Sequence, residues 1–229
     1  MLYKKVCNFA LFLTAIFVFF TWSWVSTINI SMFNNKILQS IIEYLFRYIF
    51  AYGFFNIIVF VSVNILMRLK FIKRIIFGSS YFEGRWIGYY ISPIHKTPVV
   101  FFKIITQTIE RIYIKSYAYN MNDKSQIGTW HSNSEVTIDI EKSEISYFYE
   151  YIGVSENEQI HGIHRGGFFK KGILGNPFKI NGYGYNFQSN TNIPTKIIKV
   201  DNTVVMKSDD DSKLLQKALQ FYNDEKSTE

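Results

Sequence analysis

Three histidines and a serine are the side chains of this sequence that could form a metal site or a catalytic centre, and their spacing favours neither. His161 and His164 are three residues apart, which places them on opposite faces of an extended strand. Together with His131 they match no zinc pattern. Ser132 directly follows His131, and adjacency in sequence does not establish the geometry of a nucleophile and its base. We therefore predict no catalytic residue, no metal and no cofactor, and expect that the protein is not an enzyme.

The excess of basic residues is confined to the first third of the chain. The 229 residues have a formal net charge of +7. Residues 1–79 contain eight Lys/Arg and one acidic residue, Glu43, whereas residues 80–229 contain 17 residues of each sign. A polynucleotide-binding surface is basic, so this neutral C-terminal part gives little support to binding of a DNA or RNA polymer.

Two apolar runs in the first part predict membrane-spanning helices. Residues 6–35 and 48–67 contain no charged side chain, and each includes the roughly 20 apolar residues that a helix needs to cross a bilayer. A cleaved signal peptide in residues 1–25 is the alternative interpretation of the first run. The sequence WSWVST that follows its apolar core is a poor cleavage site.

The flanking charges predict the orientation of these helices. Lys4 and Lys5 precede the first run, and four basic residues lie between residues 68 and 74. The positive-inside rule then places both termini in the cytoplasm, with a short outside loop at about 26–47. The only cysteine, Cys7, lies in the first run, so the chain has no internal disulfide, as suits a domain in a reducing compartment.

From residue 80 the hydrophobic pattern changes to a period of two, which is typical of strands. Eight segments have this pattern, at 85–92, 99–107, 110–119, 135–141, 144–152, 160–169, 182–188 and 195–206. The absence of helical patterns between them predicts a closed antiparallel barrel rather than βαβ units. An apolar stripe at 211–223 predicts a terminal helix that lies against the barrel or across one end.

The predicted fold is therefore two N-terminal transmembrane helices followed by a compact, about eight-stranded, lipocalin-like antiparallel β-barrel with a short C-terminal helix. The domain boundary is predicted between residues 76 and 77. Gly84-Arg85-Trp86 on the first strand is typical of the start of small-ligand barrels, in which eight strands enclose either side chains or one small ligand. Trp86 itself is expected to fill the barrel floor.

Five segments carry a resemblance to a known family. They are GRWIGY at 84–89, ITQTIERIYI at 105–114, SQIGTWHSNS at 125–134, YFYEY at 147–151 and HRGGF at 164–168. With the two N-terminal helices and the basic junction, they resemble the two-transmembrane, β-strand-rich effectors of bacterial CBASS antiphage systems, which operate alongside CD-NTase enzymes. The resemblance covers nearly the whole chain and depends more on architecture than on any single motif.

This resemblance implies a function. The barrel, at 77–229, would bind a cyclic dinucleotide made by a CD-NTase, and binding would promote self-association into a homo-oligomer. The helices, at 1–76, would then disrupt the lipid bilayer and end infection by killing the cell. The expected location is the bacterial inner membrane, as a multi-pass protein.

Such a ligand has two bases and two phosphates, and it needs aromatic platforms with cationic, hydroxyl and amide donors. The candidate ligand-binding residues are Arg85 and Tyr89 on the first strand; Thr106, Gln107, Thr108 and Arg111, assigned to the third; Trp130 in a loop, with its neighbours Thr129, His131 and Ser132; and His164 and Arg165 on a later strand.

Each candidate has a structural alternative. Arg85 and Arg111 have as their alternative an outward, solvated charge, which is the common position of an arginine on a barrel wall, and Gln107 has as its alternative a side chain that satisfies backbone groups. For the whole protein, the alternative function is a membrane-tethered lipocalin-like carrier or scaffold, which binds an apolar ligand or a partner protein.

Overall fold

The structure is a computed structural model, and it describes nine stretches of the chain. They are residues 2–25, 36–64, 68–93, 96–108, 110–133, 135–154, 159–170, 175–200 and 211–228. The chain divides into two compact units, Met1–Phe77 and Gly78–Glu229, and each is considered by itself.

The first unit is helical, with α1 at Leu2–Val25, α2 at Lys36–Asn64 and α3 at Lys70–Phe77. Helices α1 and α2 pack together, and the rings of Phe17 and Phe54 stack with their centroids 3.5 Å apart. Most of the large apolar side chains described on these two helices are exposed.

One helical segment of this unit, Ser40–Val61, is long and apolar enough to cross a membrane by length and composition. In the described part of the chain, the corresponding apolar stretch of α1 is shorter, at Cys7–Phe17. The prediction of a loop at 26–47 is wrong from Lys36 onward, because α2 begins there. Glu43 and Arg47 interrupt the charge-free run in the sequence, but both residue types have good helix propensity, so they do not end a helix. Residues 26–35 lie outside the described ranges.

The second unit is built on antiparallel strands. They are β1 Gly84–Ile91, β2 Pro98–Gln107, β3 Ile112–Asn120, β4 Gln126–Ser132, β5 Thr137–Asp139, β6 Glu144–Gly153, β7 Gln159–Lys170, β8 Pro177–Asn186 and β9 Thr191–Lys199. The sheet runs in the order β4-β3-β2-β1-β9-β8-β7-β6, and pairing of β4 with β6 closes it. The prediction of a closed eight-stranded antiparallel barrel is confirmed.

The identity of one barrel strand differs from the prediction. The sequence predicts a loop at residues 129–132, but these residues belong to β4, which pairs with both β3 and β6. Residues 135–141 were expected to be a barrel strand, but only Thr137–Asp139 is extended, and it pairs with β6 alone. The apolar alternation of β4 is weak because its inward positions include Gly128 and Ser132 beside Trp130, so only one of the three is a large apolar residue.

Apolar side chains close one end of the barrel. Trp86 and Phe82 are fully buried there, and the Trp86 indole Nε1 donates a hydrogen bond of 2.9 Å to the Phe82 carbonyl oxygen. The buried residues around them come from several strands and include Ile105, Ile114, Ile145, Phe168, Ile180 and Ile197. Trp86 thus fills the barrel floor, as the sequence predicts.

The predicted C-terminal helix is confirmed as α4, Asp211–Lys226, and it lies on the outer wall of β1 and β2. Its buried residues Leu214 and Ala218 belong to an apolar cluster with Ile87, Val100 and Phe102. Glu225, near the C-terminal end of α4, forms ion pairs with Lys196 at 2.9 Å and with Lys179 at 3.6 Å, which add to the apolar contacts that hold the helix.

Candidate functional site

The part of the barrel opposite the closed end contains a cavity of about 360 Å³. Its outermost lining residues, among them Ser92, Asn120 and Ser189, lie where the β1–β2, β3–β4 and β8–β9 connections meet, so this end is the mouth. The volume falls within the range of roughly 300–1,000 Å³ that is usual for small-molecule sites.

Aromatic side chains form much of the cavity wall. The ring of Trp130 lies edge-to-face against Tyr90, with centroids 6.1 Å apart, and against Tyr151, at 6.0 Å. Phe101 is closer, at 5.4 Å, in a similar geometry. Edge-to-face packing of this kind fixes ring orientation, so the wall presents ordered aromatic surfaces to the lumen.

Two glycines make room for tyrosine rings in this wall. A Cβ atom added at Gly128 would lie 2.3 Å from the ring of Tyr151, and one added at Gly162 would lie 2.5 Å from the ring of Tyr149. Only glycine therefore permits these close approaches. The Tyr151 hydroxyl also donates a hydrogen bond of 2.9 Å to the carbonyl oxygen of Ile127, which anchors the ring to β4.

A lysine lies at the bottom of the cavity. Lys103, on β2, points into the lumen with only 4% of its surface exposed, and its Nζ donates a hydrogen bond of 2.7 Å to the Tyr147 hydroxyl. The ammonium also lies 5.0 Å from the ring centroid of Phe101. Among the described residues that line the cavity, Lys103 is the one with a formal charge, and it forms no ion pair with a described carboxylate.

Burial changes the pKa values of the amine and the phenols at the bottom of the cavity. Desolvation lowers the pKa of Lys103 to about 7, because the charged ammonium loses its hydration. The same burial raises the pKa of the Tyr147 hydroxyl, which remains protonated, and raises the pKa of Tyr149 to about 12. The bottom of the cavity therefore contains neutral phenols beside an amine whose charge is poorly compensated.

His164 completes this polar layer. Its ring stacks on Tyr147 with centroids 5.0 Å apart, and its Nε2 makes a hydrogen bond of 3.0 Å with the Thr195 hydroxyl. Its Nδ1 is buried and has no hydrogen-bond partner among the residues that the structure describes. Burial, and then the nearby charge of Lys103, lower the pKa of His164, so its imidazole is neutral.

The structure brings two of the nine candidate residues to the cavity, Trp130 and His164. Trp130 lies on β4 rather than in a loop. The inward positions of β1 are occupied by Trp86, Gly88 and Tyr90, so Arg85 and Tyr89 point outward. Tyr89 packs against Phe221 and Tyr222 of α4.

Four candidates lie near the closed end, around the turn between β2 and β3, and not on the third strand. Gln107 is fully buried, but its Oε1 accepts hydrogen bonds from the backbone N–H groups of Phe82 and Glu83, and its Nε2 donates to the Ser80 carbonyl. It therefore satisfies backbone groups, which is the structural alternative raised above. Thr106, Thr108 and Arg111 are exposed, and the Thr108 hydroxyl accepts a hydrogen bond from the Arg111 N–H.

The last candidate, Arg165, points outward and forms an ion pair of 2.8 Å with Glu144. Among the neighbours of Trp130, His131 also points outward, where its Nε2 lies 3.3 Å from a carboxylate oxygen of Glu150. Ser132 points inward, and its hydroxyl accepts a hydrogen bond from the Ile114 N–H.

Sequence reasoning missed Lys103, although a signal was present. In the segment VVFFKII, at 99–105, apolar residues occur at both odd and even positions, and so on both faces of a strand. Both faces of β2 are therefore covered, the inner one by the core and the outer one by α4. A lysine within such a strand is buried in either phase, and a buried lysine without a partner is uncommon.

Comparison with known proteins does not identify a family for this chain. No protein-family model matches it, and no curated protein matches it. Within the described ranges, no group of three or more His, Cys, Asp or Glu side chains is placed to hold a metal ion. Function is therefore inferred from the cavity and its lining.

Proposed function

We propose that the barrel is the sensor of an antiphage effector of the CBASS type, and that it binds a cyclic dinucleotide in the cavity above Lys103. Binding promotes self-association, and the N-terminal helices then disrupt the inner membrane. The observation that carries the proposal is a buried lysine, not paired with any carboxylate among the described residues, at the bottom of a cavity with aromatic walls.

The cavity chemistry supports a ligand that has both a ring and a negative charge. Rings such as those of Trp130 and Tyr151 stack on nucleobases, and such stacking is largely independent of base identity. A buried ammonium is costly unless it is paired, and a phosphate beside Lys103 would stabilise its charged form. An apolar ligand offers the ammonium no partner, whereas a phosphate does, so the lysine favours the nucleotide sensor over a carrier of apolar molecules.

The polar layer supports binding rather than catalysis. His164 and Thr195 have the separation of a base and a nucleophile, but no described carboxylate orients His164 through Nδ1. The charge of Lys103 also disfavours the imidazolium that a general base must form. We therefore propose that the protein is not an enzyme.

The membrane part of the proposal depends on the first unit. Ser40–Val61 has the length and composition of a membrane span, and charge-free residues 6–35 supply a second apolar segment. The basic residues that flank them support cytoplasmic termini under the positive-inside rule. In this arrangement the barrel faces the compartment in which a nucleotidyltransferase produces its second messenger.

The test is ligand binding by the full-length protein in detergent or lipid nanodiscs, with a panel of cyclic dinucleotides. Lys103→Met should weaken binding by about 10- to 100-fold, because a charge-assisted contact is worth ~1.5–3 kcal/mol. Lys115→Met is the matched control, since Lys115 is an exposed residue of β3. Equal binding by the Lys103→Met and wild-type proteins, or no binding of any cyclic dinucleotide, would refute the proposal.

A further inference from the structure

We propose that Lys103 is also a covalent binding site, at which an aromatic aldehyde condenses with Nζ to form an imine. This inference concerns a different ligand from the cyclic dinucleotide and does not depend on it. It combines three features of the barrel: an amine at the bottom of a cavity, a phenol in contact with that amine, and walls that suit a planar ring.

The first requirement is that the amine of Lys103 is available in its neutral, unprotonated form. A lysine attacks a carbonyl carbon only through the lone pair of its neutral form, and desolvation in an apolar pocket is a recognised way to produce that form. Lys103 is buried and makes no ion pair with a described carboxylate that would hold its proton. With its pKa lowered to about 7, a far larger fraction of Lys103 is neutral at pH 7 than the fewer than about one in a thousand expected for an exposed lysine.

The second step is the position of the proton donor. The Tyr147 hydroxyl lies 2.7 Å from Nζ, and its pKa is raised by burial, so it carries its proton at neutral pH. An aldehyde whose carbon approaches Nζ therefore brings its oxygen within reach of this hydroxyl. Tyr147 is a proton donor and relay at the atom where negative charge develops.

The reaction balances without any further reagent. The Nζ lone pair forms a bond to the carbonyl carbon, the C=O π pair moves to oxygen, and a proton passes from nitrogen to that oxygen by way of the Tyr147 hydroxyl. The resulting carbinolamine loses its hydroxyl group with the second amine proton as water, and the C=N bond forms. Aldehyde and amine give imine and water, with no change of oxidation state.

The third step is the class of aldehyde. The walls of the cavity above Lys103 include Tyr90, Phe101, Trp130 and Tyr151, which suit a flat aromatic body. Because no described carboxylate pairs with Nζ, a protonated imine would be a buried, unpaired cation. The adduct is therefore a neutral imine at pH 7, with the absorption of an unprotonated Schiff base.

The experiment uses the full-length protein in detergent and 2-naphthaldehyde, an uncharged aromatic probe. After incubation at pH 7.5, sodium borohydride reduces any imine to a stable amine, and peptide mapping by mass spectrometry locates it. We expect an adduct on Lys103, formed at least about tenfold faster than any adduct on the exposed Lys115. Labelling of Lys115 and other exposed lysines with Lys103 unmodified would overturn the proposal.

Two variants separate chemistry from folding. Lys103→Arg keeps a cation in the cavity but lacks a nucleophilic amine, so it should give no adduct, whereas Tyr147→Phe should form the adduct on Lys103 more slowly. Undiminished labelling in Lys103→Arg would contradict the site assignment, and an unchanged rate in Tyr147→Phe would contradict the relay. The decisive mapping is on the wild-type protein, so it does not depend on either variant folding.

The same assay separates this proposal from the nucleotide function. If both are correct, a cyclic dinucleotide protects Lys103 from the aldehyde. Labelling of Lys103 without protection by any cyclic dinucleotide supports the covalent site and counts against the proposed sensor. Nucleotide binding without labelling of Lys103 supports the proposed sensor and counts against the covalent site.

Discussion

Lys103 Nζ donates a hydrogen bond of 2.7 Å to the Tyr147 hydroxyl and so joins β2 to β6 across the lumen of the barrel. These strands are not neighbours in the sheet, since β3 and β4 separate them on one side and four strands separate them on the other. The contact therefore spans the interior, and the protonation of one amine affects both the stability of the barrel and the charge inside its cavity.

The first prediction concerns stability and pH. Burial lowers the pKa of Lys103 from 10.5 to about 7, so between these values the unfolded chain holds a proton that the folded barrel does not. The free energy of unfolding should therefore rise with pH from about 7 towards 10, by at most about 1.4 kcal/mol per pH unit. Urea denaturation of the full-length protein in detergent, followed by circular dichroism at pH 7, 8 and 9, measures this slope.

The matched comparison is Lys103→Met, which removes the titrating amine from the same position. Its free energy of unfolding should rise less steeply with pH, between pH 7 and 9, than that of the wild-type protein. The window stops below pH 10 because the raised pKa of Tyr147 has the opposite effect above that value: the unfolded chain then loses a proton that the barrel keeps. Identical slopes in the two proteins would mean that Lys103 is not a desolvated amine.

The second prediction concerns the closed end. Gln107→Leu leaves the N–H groups of Phe82 and Glu83 and the carbonyl of Ser80 without the bonds that Gln107 provides. Because an unsatisfied buried polar group costs ~1–3 kcal/mol, we expect destabilisation of at least about 2 kcal/mol in the same denaturation assay. Thr106→Val, at the exposed neighbouring position, should stay within about 0.5 kcal/mol of wild type. A stable Gln107→Leu protein would argue against this role.

The third prediction contrasts two candidate ligand residues. Trp130→Ala removes a wall of the cavity and should weaken cyclic dinucleotide binding by ~1–3 kcal/mol, the usual worth of a base–aromatic stack. Arg111→Ala, in an exposed turn at the other end of the barrel, should change affinity less than about twofold. Isothermal titration calorimetry on both variants measures the contrast. A loss of affinity in Arg111→Ala alone would place the ligand outside the cavity.

The fourth prediction separates sensing from membrane damage. A chain that lacks residues 1–77 should still bind ligand, but it should no longer inhibit growth of a bacterial host that produces the ligand. Lys103→Met in the full-length chain should also be harmless, although it should still fractionate with the membrane. The readouts are growth, membrane fractionation and ligand binding. Toxicity of the chain without its helices would refute the membrane mechanism.

The same truncated chain tests how ligand and assembly are linked. A ligand drives association only if it binds the associated state more tightly, so sedimentation of the barrel should shift towards larger species as cyclic dinucleotide is added. A barrel that binds ligand but stays monomeric throughout would assign assembly to the helices instead.

The barrel and its terminal helix were predictable because both depend on strong periodic patterns. The period-two segments have apolar and β-branched residues in most barrel strands, and the stripe with Leu214 and Ala218 marks α4. Strand β4 was missed because its inward positions include a glycine and a serine, which carry no apolar signal. A glycine there is required by the ring of Tyr151, and that contact is formed only in the folded barrel.

Most of the site was not predictable because sequence alternation does not say which face is inside. A shift of one residue exchanges the two faces of a strand. In β1 such a shift would turn Arg85 into the barrel and Trp86 out of it. In β2 the neighbouring phases are both apolar, since α4 covers the outer face. Lys103 had a readable signal, a charge within an apolar strand, but its partner Tyr147 lies 44 residues away in the chain.

The floor formed by Trp86, Phe82 and Gln107 has a consequence for how any cavity ligand is handled. Because this end of the barrel is closed, a ligand must enter and leave the cavity through the open end. The part of the ligand that enters first is therefore the last part to leave. A fluorophore or an affinity-resin linker must therefore be attached to the part of the ligand that stays nearest the open end. A probe labelled at the end that enters first would be blocked from the cavity by its own label, and its failure to bind would say nothing about the unlabelled compound.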